Sequence, residues 1–165
     1  MRRNIECHRT EGRNSLWQWW RVRNPIRLGI NFIILEICKY IPSLAVKNAL
    51  YTLLGVKVGK NVAIGLCAQL DVFFPELIEI GDNTIIGYDA LILTHEFLPN
   101  EWRAGRVKIG KNVLIGARSI VLPGITIGDN AIISAGSLVN RNVEPNSFVG
   151  GIPAKKIASN HNGSD

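Results

Sequence analysis

From Val56 to Val139 an aliphatic side chain returns at every sixth position, and this period decides what the chain can fold into. The series runs through Val58, Ile64 and Leu70. It resumes after a short offset at Phe74, Ile80, Ile86 and Ile92, and after a longer break at Ile109, Ile115, Val121, Ile127, Ile133 and Val139. Glycine follows seven of these thirteen positions, and Asn or Asp stands two or three places later, as in "IGKN" and "IGDN". A period of six is neither the 3.6 of a helix nor the 2 of a plain strand. It fits a short strand that turns one aliphatic inward, followed by a turn where glycine, Asn or Asp accepts backbone angles that branched residues resist. Three such units close a triangular coil. Stacked coils pair each strand with the one a coil further on and bury one continuous aliphatic column, which a single coil cannot do. Thirteen units make a little over four coils, so residues 56–157 are expected to form a parallel β-helix, an all-β fold, with a flexible tail over 158–165.

The composition agrees. The 165 residues are 47% hydrophobic and 19% charged, with aromatics at 7%, so the core material is branched aliphatic and disorder is excluded for most of the chain. The three cysteines, Cys7, Cys38 and Cys67, are far apart and form no CxxC. They fit a reducing, cytoplasmic setting as small buried hydrophobes, not a disulfide framework or a zinc site.

Residues 1–55 do not follow the period of six and are expected to be a basic arm and two helices. Residues 1–27 hold seven arginines against Glu6 and Glu11, which is +5 of the net charge of +6. Residues 1–25 show no period and read as an arm closed by Pro25. Ile26, Ile30, Ile33, Ile37 and Ile41 then fall at helical steps and make one face. Pro42 ends that helix, Ser43 is a plausible N-cap for a second one with Val46, Leu50, Leu53 and Leu54 on its apolar side, and Gly55 stops it. The favoured reading is that these helices cover the open end of the scaffold. The apolar stretch from Leu28 to Ile41 is too short, and too interrupted by Glu36 and Lys39, to span a membrane. Beside an Arg/Trp-rich arm it keeps open peripheral membrane contact through residues 1–54. Trp17, Trp19 and Trp20 can stack on bases, but no nucleic-acid module follows, so no nucleic-acid partner is expected.

Three further segments carry chemistry: "LILTHEF" with the loop that follows it, "GSLVNRNVEP", and the terminal "VGGIPAKKI". In this order and spacing, over about 100 residues, they resemble the "TxTHP", "GSVVTKDVP" and "GNPAKVI" patterns of the maltose and galactoside O-acetyltransferases and the xenobiotic acetyltransferases. These are hexapeptide-repeat acyltransferases. The resemblance implies a left-handed parallel β-helix with an N-terminal α-helical appendage, acetyl-CoA as acyl donor, no metal, and a homotrimer with sites between neighbouring helices. Left-handedness comes from the resemblance alone, since parallel crossovers are normally right-handed. Related helices also serve as γ-class carbonic anhydrases and as scaffolds without catalysis. The former need three histidines around zinc, and His8 and His161 lie near the two chain ends.

His95 matches the family's catalytic histidine. A neutral imidazole has suitable basicity to take a proton from an attacking hydroxyl near neutral pH. Glu96 either orients that imidazole or is solvated. Asp71, in "QLDVFF", matches an aspartate that helps hold the acceptor. The family's sugar-binding asparagine falls on Ala63, which argues against simple maltose-like or galactoside-like recognition. Trp102 and Arg103 are candidate walls of the acceptor pocket. For the cofactor, Gly116 and Ala117 fall where small residues let the pantetheine arm approach, and Ser134, Ala135 and Gly136 repeat this one coil later. Asn140 and Arg141 match the "TK" pair, and Lys155 and Lys156 the basic position after "NPA", where cations suit phosphates. The family's tryptophan before "IGG" is Leu114 here. The expected activity is O-acetylation of a sugar or glycan precursor, soluble or lipid-linked. N-acetylation of an amino sugar and a non-catalytic scaffold are the alternatives.

Overall fold

The structure, a computed structural model, describes residues 3–157. The expected tail 158–165, with His161, lies outside the described residues. Residues 57–156 wind into a three-sided prism. Its first face stacks Lys57–Val58, Ile78–Ile80, Val107–Ile109 and Thr126–Ile127; its third stacks Gln69–Leu70, Leu91–Ile92, Ile120–Val121 and Leu138–Val139. Its second face stacks Ala63–Ile64, Ile85–Ile86, Leu114–Ile115, Ile132–Ile133 and Phe148–Gly150, and Lys155–Lys156 folds back antiparallel on the last of these. All pairs between coils are parallel and in register: Ile64 meets Ile86, Ile86 meets Ile115, and Ile115 meets Ile133. These four isoleucines are fully buried, so the expected aliphatic column is the core. Leucine or isoleucine in the alternate position points outward, which is why each strand needs only two residues.

The corners explain the Asn and Asp signal. Asn61, Asn83, Asn112, Asn130 and Asn146 all sit at φ between 54° and 59°, a left-handed conformation that asparagine tolerates better than branched residues. The amides of the last four form a ladder along one edge. Asn83 donates to Asn112 at 2.8 Å, Asn112 to Asn130 at 3.1 Å, and Asn130 to Asn146 at 2.9 Å. The glycines before them permit close stacking of the coils: a Cβ on Gly81 would lie 2.6 Å from the carbonyl carbon of Gly110.

Two departures from the period correct the sequence reading. Phe74 is not an inward repeat position. Leu70 is followed on the first face by Ile80, and Phe74 caps a 3-10 turn at Pro75–Leu77 outside the prism. The first two coils are therefore 22 residues apart, four more than the regular 18. The break between Ile92 and Ile109 likewise does not replace a coil. Ile92 ends the third face and Ile109 lies on the next first face, six positions on in a regular repeat, so the 17-residue interval is one normal step plus eleven inserted residues. That insertion is a hairpin of His95–Leu98 and Glu101–Ala104.

The N-terminal segment is also more ordered in its pairing than its sequence suggests. Glu6–Arg9 adds an antiparallel strand to the hairpin, with His8 opposite Trp102 and Cys7 opposite Arg103. A short helix α1 (Trp19–Val22) leads into α2 (Pro25–Tyr40), capped by the Asn24 side chain, and α3 (Leu44–Leu53) follows with Ser43 as its N-cap. Both longer helices cover the first coil, as expected, but α2 does so with the opposite face. Asn31, Leu35 and Cys38 are buried, whereas Ile26, Ile30, Ile33 and Ile37 are exposed. In α3, Lys47 and Tyr51 are buried while Val46 and Leu53 are exposed. The reason is polar. The first coil presents backbone carbonyls with no preceding coil, and helical side chains satisfy them. The Lys47 ammonium donates to the Ile64 and Gly65 carbonyls, both at 3.0 Å, Asn48 to Val62 at 2.8 Å, and Asn31 to Val72 at 2.8 Å. Burial holds the Lys47 amine below its usual pKa. Of the cysteines only Cys38 is a buried hydrophobe; Cys7 is exposed and Cys67 half-buried in a left-handed turn.

Candidate active site

His95 opens the inserted hairpin where the chain leaves the third face. Its partner is Asp71, at the same exit one coil earlier, and the ring Nδ1 lies 2.5 Å from Asp71 Oδ2. Asp71 is 2% exposed, so its charge must be matched locally. Oδ2 also accepts from the backbone N–H of Thr94 at 2.8 Å and of His95 at 3.1 Å. Oδ1 accepts from Phe73 at 2.8 Å and Phe74 at 3.0 Å. The four-residue offset after Leu70 thus wraps the chain around this carboxylate. Burial pushes the Asp71 carboxyl upward, but the His95 imidazole and the backbone donors outweigh it and hold it below the usual range. An ionised carboxylate only accepts, so Nδ1 carries the proton. In the neutral ring the lone pair is then on Nε2, the nitrogen needed for a base.

Aromatic rings enclose the imidazole. Ring centroids of Phe73, Phe97 and Phe74 stand 4.5, 5.1 and 6.2 Å from that of His95. Beyond them Phe74 stacks on Trp102 at 5.7 Å, and Trp102 stacks on His8 of the N-terminal strand at 4.1 Å. Arg23 lies 5.4 Å over Phe74 and forks onto Glu76 at 2.8 and 3.1 Å.

The expected site residues fall into separate places. Asp71, assigned to the acceptor, contacts the histidine instead. Glu96, offered as an orienter of the imidazole, pairs with Arg3 at 2.7 Å. Trp102 stacks between contacts to His8 and Phe74 and also lines a cavity of about 300 Å³ with Arg9, Gln18 and Arg21, whereas Arg103 pairs with Glu101. Gly116–Ala117 and Ser134–Ala135–Gly136 stack at one corner of the third and fourth coils, with the Gly136 N–H donating to the Ala117 carbonyl at 2.8 Å. Glycine at 116 is explained by stacking, since a Cβ there would lie 2.4 Å from the Ala135 nitrogen. At Gly136, with φ +67, a Cβ would meet open space. Asn140, Arg141 and Lys156 line a cavity of about 200 Å³ at the far end of the prism, and Lys155 is exposed on the same strand as Lys156. Sequence reasoning missed Phe73, Phe74, Phe97, Arg3 and Arg23. The signal for the first two was the offset "FFPE" two positions after Asp71; the others come from segments that only the fold brings near.

The prism and its inserted histidine hairpin have counterparts among known proteins. Residues 106–141 match the family model described as hexapeptide repeat of succinyl-transferase. Over 156 residues the chain is 45% identical to YvoF of Bacillus subtilis (strain 168), provisionally named an acetyltransferase, covering 94% of this chain and 91% of that protein. Over 110 residues it is 37% identical to the galactoside O-acetyltransferase of Escherichia coli (strain K12), covering 60% of this chain and 54% of that one. Among solved structures, the hexapeptide-repeat acetyltransferase VCA0836 of Vibrio cholerae, complexed with acetyl coenzyme A, superposes with a TM-score of 0.64 at 21% identity, covering 88% and 90% of the two chains. The chain belongs to the hexapeptide-repeat acetyltransferases, and its prism is the left-handed β-helix of that family.

Proposed function

We propose that this protein is an acetyl-CoA-dependent O-acetyltransferase with His95 as general base, acting on a sugar or glycan-precursor hydroxyl. The observation that carries the reading is the 2.5 Å contact of the His95 Nδ1 with buried, ionised Asp71. Nε2 takes the acceptor's hydroxyl proton as the oxygen attacks the thioester carbonyl carbon. The carbon–sulfur bond then breaks, and the imidazolium returns the proton to the leaving thiolate. The products are the acetyl ester and free CoA thiol. No covalent intermediate on the protein is needed when both substrates are bound together. Asp71 stabilises the imidazolium and fixes the ring, a positioning role like that of the third member of a triad.

Asn140, Arg141 and Lys156, with Lys155, suit the phosphates of CoA. Asn140 and Arg141 lie two coils beyond His95 along the prism, roughly 10 Å at the strand spacing of about 4.8 Å, and Lys155–Lys156 two strands further out, a span along which an extended thioester arm can run. The outward stripe of the second face, Ile85, Leu114 and Ile132, is 40–50% exposed and suits contact with further copies in a homotrimer. Three free cysteines suit the reducing cytoplasm.

Thiol release from acetyl-CoA tests this over a panel of paired hydroxyl and amino sugars, some of them lipid-linked. Turnover with hydroxyl acceptors that disappears in His95→Ala is the expected result. Unchanged turnover in that variant removes the mechanism, and turnover confined to amino acceptors makes the protein an N-acetyltransferase. Light scattering checks the trimer against a chain mass of 18.2 kDa.

A further inference from the structure

Helix α2 carries its apolar stripe on the side away from the core. Ile26, Ile30, Ile33, Ile37 and Tyr40 are between 46% and 76% exposed. At 100° per residue they fall within an arc of about 80° and run about 21 Å along the helix. Asn31, Leu35 and Cys38 occupy the opposite side and are buried. Nothing charged interrupts the stripe: Glu36 and Lys39 pair with each other at 2.6 Å, and Arg27 donates to the Leu54 carbonyl. Residues just upstream add exposed Leu16, Trp17 and Trp20 with exposed Arg13 and Arg21, inside the segment that holds +5 of the net charge. No helix among the described residues is long and apolar enough to cross a membrane.

A second copy of this chain is a poor occupant, because a two-fold contact through α2 brings two arginine-rich segments together. An anionic lipid surface matches both features at once, apolar stripe and positive flank, with tryptophan at the interface. We propose that α2 lies flat on an anionic bilayer surface, its stripe immersed at the headgroup boundary and the preceding arginines against lipid phosphates. The link between α1 and α2 contains Arg23, which grips Glu76 and covers Phe74. Docking therefore holds the aromatic enclosure of His95 close to the bilayer. The docking itself does not depend on the acceptor.

Flotation of the full chain tests this with vesicles of phosphatidylglycerol mixed with phosphatidylcholine, against phosphatidylcholine alone. Binding to the anionic vesicles is expected to be at least roughly tenfold stronger and to weaken with salt. Ile33→Glu with Ile37→Glu is expected to abolish it with circular dichroism and melting unchanged, and the milder Ile33→Ser to reduce it if the double variant misfolds. Arg13→Glu with Arg21→Glu is expected to bring anionic binding down to the neutral level. No flotation of the unaltered chain, or undiminished flotation of the Ile33 and Ile37 variants, overturns the proposal. So does a larger assembly that breaks down in Ile33→Glu without vesicle binding, which assigns the stripe to a second copy. Thiol release with a soluble acceptor is read separately, so failure of docking and failure of the acetyltransferase reading are distinguishable.

Discussion

The third and fourth coils and the region around His95 are built by opposite rules. The coils repeat one inner aliphatic, one stacking glycine and one left-handed corner residue, and each feature is satisfied by the coil next to it. Around His95 each contact is made once, by rings and ion pairs gathered from four distant segments: the N-terminal strand, the 71–76 offset, the hairpin and Arg23. Redundancy keeps the scaffold rigid, and uniqueness lets the excursion carry chemistry. Substitutions in the two regions should accordingly separate stability from activity.

The largest effect is expected at His95. His95→Ala should lower kcat by roughly 10²–10⁴-fold with the chain still folded and melting lowered only modestly through the lost partner of Asp71; a collapse of the fold would make His95 part of the scaffold and blur the contrast. In the column, Ile115→Ala should cost about 2–5 kcal/mol of stability by urea denaturation while kcat in native buffer stays within a few-fold. Loss of activity without loss of stability there breaks the comparison from the other side. Asp71 belongs to both regions, so Asp71→Asn should lower kcat by roughly 10²-fold or more and also change acid stability. The sign follows from its depressed carboxyl. The ionised form stabilises the fold fully above the unfolded carboxyl value of about 3.9, and this is lost as pH falls through the lower folded value. Acid unfolding curves of the two proteins should therefore converge at low pH. Asn112→Ala, which removes two ladder bonds and a tolerated left-handed residue, should cost about 1–2 kcal/mol with no kinetic effect. Smallest of all, Arg3→Ala removes a half-exposed ion pair with Glu96 and should change kcat by at most a few-fold.

The same contrast governs what could be read from sequence. Ile115 or Asn112 repeats its neighbours' pattern, so period and turn chemistry disclosed the prism. His95 stood out because it interrupted that pattern. Phe74 misled, since an aromatic four residues after Leu70 mimics a repeat position while belonging to the offset. The stripe of α2 misled for a different reason. Helical spacing shows that Ile26, Ile30, Ile33 and Ile37 share a face but not which way it points. The choice was made by Asn31, Asn48 and Lys47, whose hydrogen bonds to the first coil's carbonyls mattered more than apolar burial. Arg3 and His8, which pair with Glu96 and Trp102, lie more than 90 positions from them, and no local signal announces those contacts.

The regular spacing of the prism makes it a molecular ruler. Two coils separate the exit that carries His95 from the one that carries Asn140, and each coil adds about 4.8 Å without turning any face. Removing residues 110–127, one full 18-residue turn, would keep every aliphatic in phase and shorten the scale by one division. The reach between the proposed base and the proposed phosphate grip is thus set in whole coils, and under that proposal donor length becomes a quantity the chain can count.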